Sequence, residues 1–379
     1  MKLGIDVSTY FEEIDNGAKY YKNNKEIDPL KEFINNNVKS MRIRVWVDPY
    51  SIDGKKYLGG TCDLDNFLRL ARLAKTYGYT IYLDLHYSDF WADPGKQTKP
   101  KAWENLNTIE LVNIVYDYTK EVLLRIKCEN IDLEMIQVGN EITNGMLWPN
   151  GKLIENGDNE RANYETLSKF LKAGFRACKE IFPNALRMIH LEKSYDKKIY
   201  TEYFSNMEKY GVEYDVIGAS YYPYWHGTME ELFDNLNTQK KLFNKKIVIA
   251  ELGYAFTLEN YILTNNGMEH KLVVGEDNIE SFQMVKEFPL TKKGQSDFIE
   301  KFLKKALEFD VYAIYYWEPL WIPGEGICWA SVEGEKYIHE ENKPTANEWS
   351  NQCLFDYNGN MNPSFNKYTL KERNKDENI

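Results

Sequence analysis

The sequence predicts an α/β protein built as one (β/α)8 barrel, and three observations lead there. Eight short apolar runs rich in β-branched residues alternate with seven longer stretches of helical periodicity. A strand–helix–strand order means parallel pairing through helical crossovers. No glycine-rich dinucleotide fingerprint follows any of the strands, which ranks an open doubly wound sheet below a closed barrel.

The elements follow in order. Leu3, Ile5 and Val7 alternate through a first strand at 3–9, and a helix is expected at 28–37. The second strand, 40–47, carries Arg42 and Arg44 on one face by the period-two rule. Helix 63–77 has Asp63 as N-cap and an apolar stripe of Phe67, Leu70, Ala71, Leu73 and Ala74, with Gly78 just past its end. Strands at 79–87, 132–140, 186–192, 216–222, 247–253 and 311–318 complete the set. Between them helices are expected at 107–127, 159–182, 197–210, 229–243 and 292–309. The connections after the third, seventh and eighth strands are long, as cleft-building loops are. No repeat or linker divides the chain, so residues 1–370 are read as one (β/α)8 domain and 371–379 as a polar, disordered tail.

Bulk properties narrow the function. The 47 basic against 58 acidic residues give a net charge of −11, which disfavours nucleic acid and polyanionic substrates but suits a neutral polymer. Aromatic residues make up 15%, with 9 Trp and 28 Tyr, a supply that can fill a core or line a sugar cleft. Five scattered cysteines without a CxxC pair indicate ordinary thiols rather than zinc or a disulfide framework. No segment has the ~20 apolar residues of a membrane span. The chain opens Met1-Lys-Leu-Gly-Ile-Asp6 directly at a strand, so a cytoplasmic protein or an exported one with its signal removed is expected. A monomer is expected.

A barrel carries its active site at the C-terminal ends of its strands. Two glutamates lie there, Glu141 in Gln137-Val-Gly-Asn-Glu-Ile142 and Glu251 in Ile247-Val-Ile-Ala-Glu-Leu-Gly253. A carboxylate at the end of a buried strand loses solvation and needs a partner or a job. Two on one rim are the equipment for glycoside cleavage: an acid for the leaving oxygen, and a second carboxylate across the ring. Position assigns Glu141 as acid/base and Glu251 as nucleophile. Either alone reads equally well as a structural ion pair.

The remaining candidates bind substrate or tune that pair. Arg44, nearer its strand end than Arg42, is expected beside Glu251 to keep it ionised. Asn140 is placed to bond a sugar hydroxyl, and His86 to orient a carboxylate or do the same, with Asp84 facing inward beside it. Tyr222, preferred over Tyr221, is expected to donate to the nucleophile. Trp317 would floor the subsite of the cleaved sugar, and Trp91, Trp103, Trp225, Trp321 and Trp329 are loop candidates for other subsites. Asp48 and Asp89 complete the set of substrate-binding candidates.

These segments together resemble the endo-β-1,4-galactanases of glycoside hydrolase family 53. The resemblance is carried by Gly4-Ile-Asp-Val-Ser8, Arg42-Ile-Arg-Val-Trp46, Gln137-Val-Gly-Asn-Glu-Ile142, Ala250-Glu-Leu-Gly-Tyr254 and Tyr316-Trp-Glu-Pro319. Its most specific run is Asp84-Leu-His-Tyr-Ser-Asp-Phe-Trp-Ala-Asp-Pro-Gly95. Ile322 to Ser331 and Asn351 to Gly359 also fit, so the likeness spans about 3–366. It implies a (β/α)8 barrel, a retaining double displacement with Glu141 as acid/base and Glu251 as nucleophile, and galactan or type I arabinogalactan as substrate. No cofactor is required. Bacterial members often hold a structural calcium in the late loops; here Asn265, Glu269 and His270 are donors, but the family's aspartate pair is missing from Leu263 to Lys271.

The competing readings are a hydrolase of the same clan acting on short galacto-oligosaccharides or another neutral β-linked polymer, a non-catalytic carbohydrate-binding barrel, and a cofactor-using aldolase or oxidoreductase. The pair of glutamates argues against the second. The lack of a strand-end Schiff-base lysine or a phosphate-cradling loop argues against the third.

Overall fold

The computed structural model describes residues 1–155, 161–262, 269–270, 272–276, 287–338 and 346–369. Eight parallel strands close into a barrel: β1 (Lys2–Asp6), β2 (Val38–Val45), β3 (Thr80–Leu85), β4 (Leu133–Val138), β5 (Leu186–Leu191), β6 (Val216–Tyr221), β7 (Lys246–Leu252) and β8 (Ala313–Trp317). Each pairs with its sequence neighbour, and β1 closes on β8 through Lys2↔Ala313 to Asp6↔Trp317. All eight expected strands are present, each within a few residues of its predicted bounds.

Among the described residues, seven main helices connect the strands, α1 (Pro29–Asn35), α2 (Leu64–Tyr77), α3 (Thr108–Cys128), α4 (Tyr164–Ile181), α5 (Lys197–Lys209), α6 (Met229–Phe243) and α7 (Lys292–Glu308), with shorter helices at Tyr10–Asp15, Val332–Ile338 and Pro363–Tyr368. Their starts are written in local chemistry. Asp63 accepts from the backbone of Asn66 to cap α2, and Gly78, at φ +89°, ends that helix in the left-handed conformation. Asn107 with Glu110, and Thr228 with Glu231, form capping boxes on α3 and α6. The stripe of α2 buries as expected, except that Leu73 is half-buried and Leu68 takes a core position.

Inside the barrel the side chains change character from bottom to top. The lower layer packs Tyr82, Met135, Met188, Val216, Val248, Ala313 and Tyr315. Gly4 makes room for it: a Cβ there would stand 2.4 Å from the Tyr315 ring and 2.9 Å from the Ser40 carbonyl oxygen. The upper layer is charged. The register sets Asp6 opposite Arg42, Arg44 opposite Asp84, and Asp84 opposite Gln137. Charge this deep survives only when paired, and the pairs made here define the cleft above.

The segments 86–107, 139–163 and 253–291 lie between strand and main helix at the C-terminal face, and the segment after β8 carries the short helix Val332–Ile338, so a long connection follows β4 as well as the three expected ones. All five cysteines are unpaired, and only Cys128 is exposed. No helix among the described residues is long and apolar enough to cross a membrane. The tail 371–379 lies outside the described residues, as does Asn265 of the calcium stretch; the side chains of Glu269 and His270 are likewise undescribed.

Candidate active site

A cavity of about 530 Å³ opens at the C-terminal face of the barrel. Glu141 and Glu251 both reach it. One carboxylate oxygen of each, together with a ring nitrogen of His190, lie within 4.8 Å of one another. The two acids arrive by different routes. Glu251 is the sixth residue of β7, still inside the sheet and paired in register with Ser220. Glu141 stands three residues beyond the end of β4, in a left-handed turn at φ 47°, ψ 48°. That conformation is uncommon for a residue with a Cβ, and such strain concentrates where a side chain must be aimed.

Their surroundings differ in sign. Arg42 forms an ion pair with Glu251 at 2.9 Å, and donates to Asp6 at 2.7 Å, Asp84 at 2.8 Å and Asn140 Oδ1 at 2.9 Å. The Tyr222 hydroxyl donates to the other oxygen of Glu251 at 2.7 Å. Burial pushes the Glu251 carboxyl up, and Arg42 and then Tyr222 pull it back toward ionisation. The Ser220 hydroxyl lies 2.6 Å from Glu141, within hydrogen-bond reach. Burial, followed by the charges of Glu251 and Glu192, holds the Glu141 carboxyl well above the usual carboxylate range. Of the two, Glu251 is the one that gives up its proton first. Two carboxyls whose environments push their ionisation apart are the signature of an acid/base division of labour.

The arginine beside Glu251 is not the one expected. Arg44 pairs with Glu318 at 2.7 Å and lies 3.6 Å from Asp6, leaving Glu251 to Arg42. The reason is depth: Glu251 sits within its strand rather than past it, and the long guanidinium of the deeper arginine rises to meet it. Tyr222 rather than Tyr221 faces the cleft, because Tyr221 turns outward and stacks on Phe302 of α7 at 5.3 Å. His86 faces the cleft with Nε2 2.9 Å from Asp84, while Trp46 donates to its Nδ1 at 3.2 Å. Asn140 lines the cavity with its amide held by protein partners, Oδ1 by Arg42, Gln137 and His190, and Nδ2 by the Ala92 carbonyl.

Aromatic walls complete the cleft. Trp91 stacks on Trp329 at 4.3 Å, and the Arg44 guanidinium lies over the Trp91 ring at 4.6 Å. Trp225 and Trp317 also line the cavity. Trp103 packs instead against Tyr118 of α3, and Trp321 is fully buried behind Trp329. Asp48 and Asp89 stand away from the cavity. Asp48 is exposed, 3.4 Å from Lys101, and the buried Asp89 receives both the backbone N–H and the ammonium of Lys101. Their motif positions are strand-end loops, but both carboxylates turn to Lys101, which fastens the loop after β3.

Sequence reasoning missed Asp6, His190, Glu192, Ser220, His226 and Trp349. His190 and Glu192 had a signal: with Met188 they alternate on the inward face at the end of β5. Trp349 had none, since it reaches the cavity from a distant loop.

A closed parallel barrel that raises an unequal pair of carboxyls into an aromatic-lined cleft defines a barrel glycosidase. The chain belongs to glycosyl hydrolase family 53, whose model matches residues 2–368. It is 30% identical to the endo-β-1,4-galactanase of Bacillus subtilis, over 97% of this chain and 85% of that one. To arabinogalactan endo-β-1,4-galactanase A of Aspergillus niger it is 32% identical, covering 84% and 85%. Among solved structures, the GH53 catalytic domain of Ignisphaera aggregans superimposes with a TM-score of 0.85 at 36% identity, over 96% of this chain and 94% of that chain.

Proposed function

We propose that the protein is a retaining endo-β-1,4-galactanase acting on galactan or type I arabinogalactan. Glu251 attacks the anomeric carbon while Glu141 protonates the departing glycosidic oxygen. Water then attacks the glycosyl–enzyme, giving its proton to Glu141 and returning the bonding electron pair to Glu251. Carboxyls about 5–5.5 Å apart suit this double displacement; a wider gap leaves room for water and inverts configuration. The approach of Glu141 and Glu251 oxygens to within 4.8 Å is the observation that carries the reading. The two carboxyls and water supply every proton and bond the reaction needs, without a cofactor. Similarity to the endo-β-1,4-galactanase of Bacillus subtilis and the arabinogalactan endo-β-1,4-galactanase A of Aspergillus niger supports the substrate.

Arg44, His86, Trp91, Asn140, Tyr222, Trp225 and Trp317 are proposed to hold the sugar chain, all of them facing the cavity. The test is a panel of galactan, arabinogalactan, mannan, xylan and β-glucan, with products sized and the first-formed anomer read by NMR. β-Configured galacto-oligosaccharides of several lengths are expected. First release of the α-anomer overturns retention, and no release from galactan overturns the substrate. Glu251→Ala is expected to abolish turnover.

A further inference from the structure

The assignment of Glu141 as acid/base leaves two buried neighbours without a stated role, and they form a continuous hydrogen-bonded line behind it. His190 Nδ1 lies 3.0 Å from Asn140 Oδ1, its Nε2 lies 2.9 Å from Ser220 Oγ, and Ser220 Oγ lies 2.6 Å from Glu141. His190 and Ser220 are wholly buried.

The protons on this line can be counted. Asn140 presents its oxygen to Arg42, which can only donate, and its nitrogen to the Ala92 carbonyl, which can only accept. Asn140 Oδ1 therefore accepts from His190, and the histidine proton sits on Nδ1. The buried ring is neutral: desolvation, then the nearby positive charge of Arg42, hold it well below the usual imidazole range, against the opposing pull of Asp84. His86 and His226 also face it and oppose its protonation. A neutral Nδ1–H tautomer leaves Nε2 as an acceptor, and among the described residues the hydrogen in reach is that of the Ser220 hydroxyl.

That hydroxyl has one proton and two claimants. While Glu141 is protonated, Glu141 donates to Ser220 Oγ and Ser220 donates to His190 Nε2, so every partner is satisfied. Once Glu141 has passed its proton to the leaving oxygen, its carboxylate needs a donor, and Ser220 can serve only by turning away from His190. We infer that His190 and Ser220 are positioning residues for the acid/base, the Ser220 hydroxyl reversing direction as Glu141 loses and regains its proton. No net proton leaves the line. The hydroxyl steadies the ionised form, while the Nε2 lone pair it abandons favours return of the acid form. The balance keeps Glu141 able to act first as acid and then as base. The other acids facing Glu141, namely Glu251, Glu192 and Asp93, act on it through charge alone and are unchanged by the turn.

The inference rests on the acid/base reading of Glu141, and its test separates the two. The measurement is kcat/KM against pH, whose alkaline limb follows loss of the acid's proton. Ser220→Ala removes the one side-chain donor to the ionised form among the described residues, so the alkaline limb moves to higher pH. Activity on that limb, relative to the plateau, rises about tenfold for a hydrogen bond to a charge worth ~1.4 kcal/mol. His190→Asn keeps an N–H where Nδ1 stood but deletes the Nε2 acceptor. Ser220 is then free to serve Glu141 alone, and the limb moves to lower pH. In the Ser220→Ala background His190→Asn has no further effect on the limb. Opposite displacements and loss of the histidine effect in the double variant support the relay. Equal displacements, or activity losses with unmoved limbs, mean the pair is merely structural. Glu141→Ala, run on galactan and on an aryl galactoside with a good leaving group, decides the underlying reading: equal loss on both overturns the acid/base role itself.

Discussion

Tyr222→Phe isolates one interaction at Glu251, the proposed nucleophile. The exchange deletes a single oxygen and leaves the ring, so packing against Trp349 at 5.1 Å and Trp225 at 6.0 Å is kept. What is lost is a 2.7 Å hydrogen bond to Glu251 inside a buried site. A hydrogen bond to a charged acceptor contributes about 1.5–3 kcal/mol. The sign follows from which form is stabilised. The phenol donates to the carboxylate, so its removal raises the Glu251 pKa and shifts the acidic limb of kcat/KM to higher pH. On that limb activity depends on the ionised fraction, and the loss is therefore about 10- to 150-fold, shrinking toward the plateau. The assay is a pH series with an aryl β-galactoside, whose leaving group needs little help from Glu141. An acidic limb left in place, with activity lowered uniformly at all pH values, would refute the argument that Tyr222 acts through the charge of Glu251.

Two other variants probe the layers above and below. Arg42→Met strands Asp6, Asp84 and Glu251 without their shared cation, and removing one partner of buried ion pairs costs about 3–5 kcal/mol. Urea unfolding measures it; a loss under 1 kcal/mol would mean the charges are compensated elsewhere. Trp225, 42% exposed at the cleft rim, should raise KM for the polysaccharide about 5- to 30-fold when replaced by Ala, with an unchanged melting temperature. An unaltered KM across substrate lengths would remove it from the binding surface.

Much of this site was legible because its parts sit where local pattern is strongest. Glu141 and Glu251 stand out as acids closing apolar strands, and the strand–helix alternation puts both on the same rim. Period-two alternation placed Arg42, Asp84 and His86 inward, since a pleated strand has only two faces. What alternation lacks is height. It gives the face a side chain takes, not the level its tip reaches, so it favoured Arg44 where Arg42 meets Glu251. The same gap explains Asp48 and Asp89, which share strand-end sequence with true cleft residues but turn to Lys101 in the loop after β3.

The chain alone, then, determined the barrel, its polarity and the two acids, because those follow from periodicity, capping and the end of a strand. Tertiary structure alone decided which arginine pairs with Glu251, and which tryptophans reach the cavity. It alone built the line from Asn140 through His190 and Ser220 to Glu141. Those contacts join residues from separate strands at distances fixed by barrel closure, and closure is a property of all eight strands together rather than of any one segment.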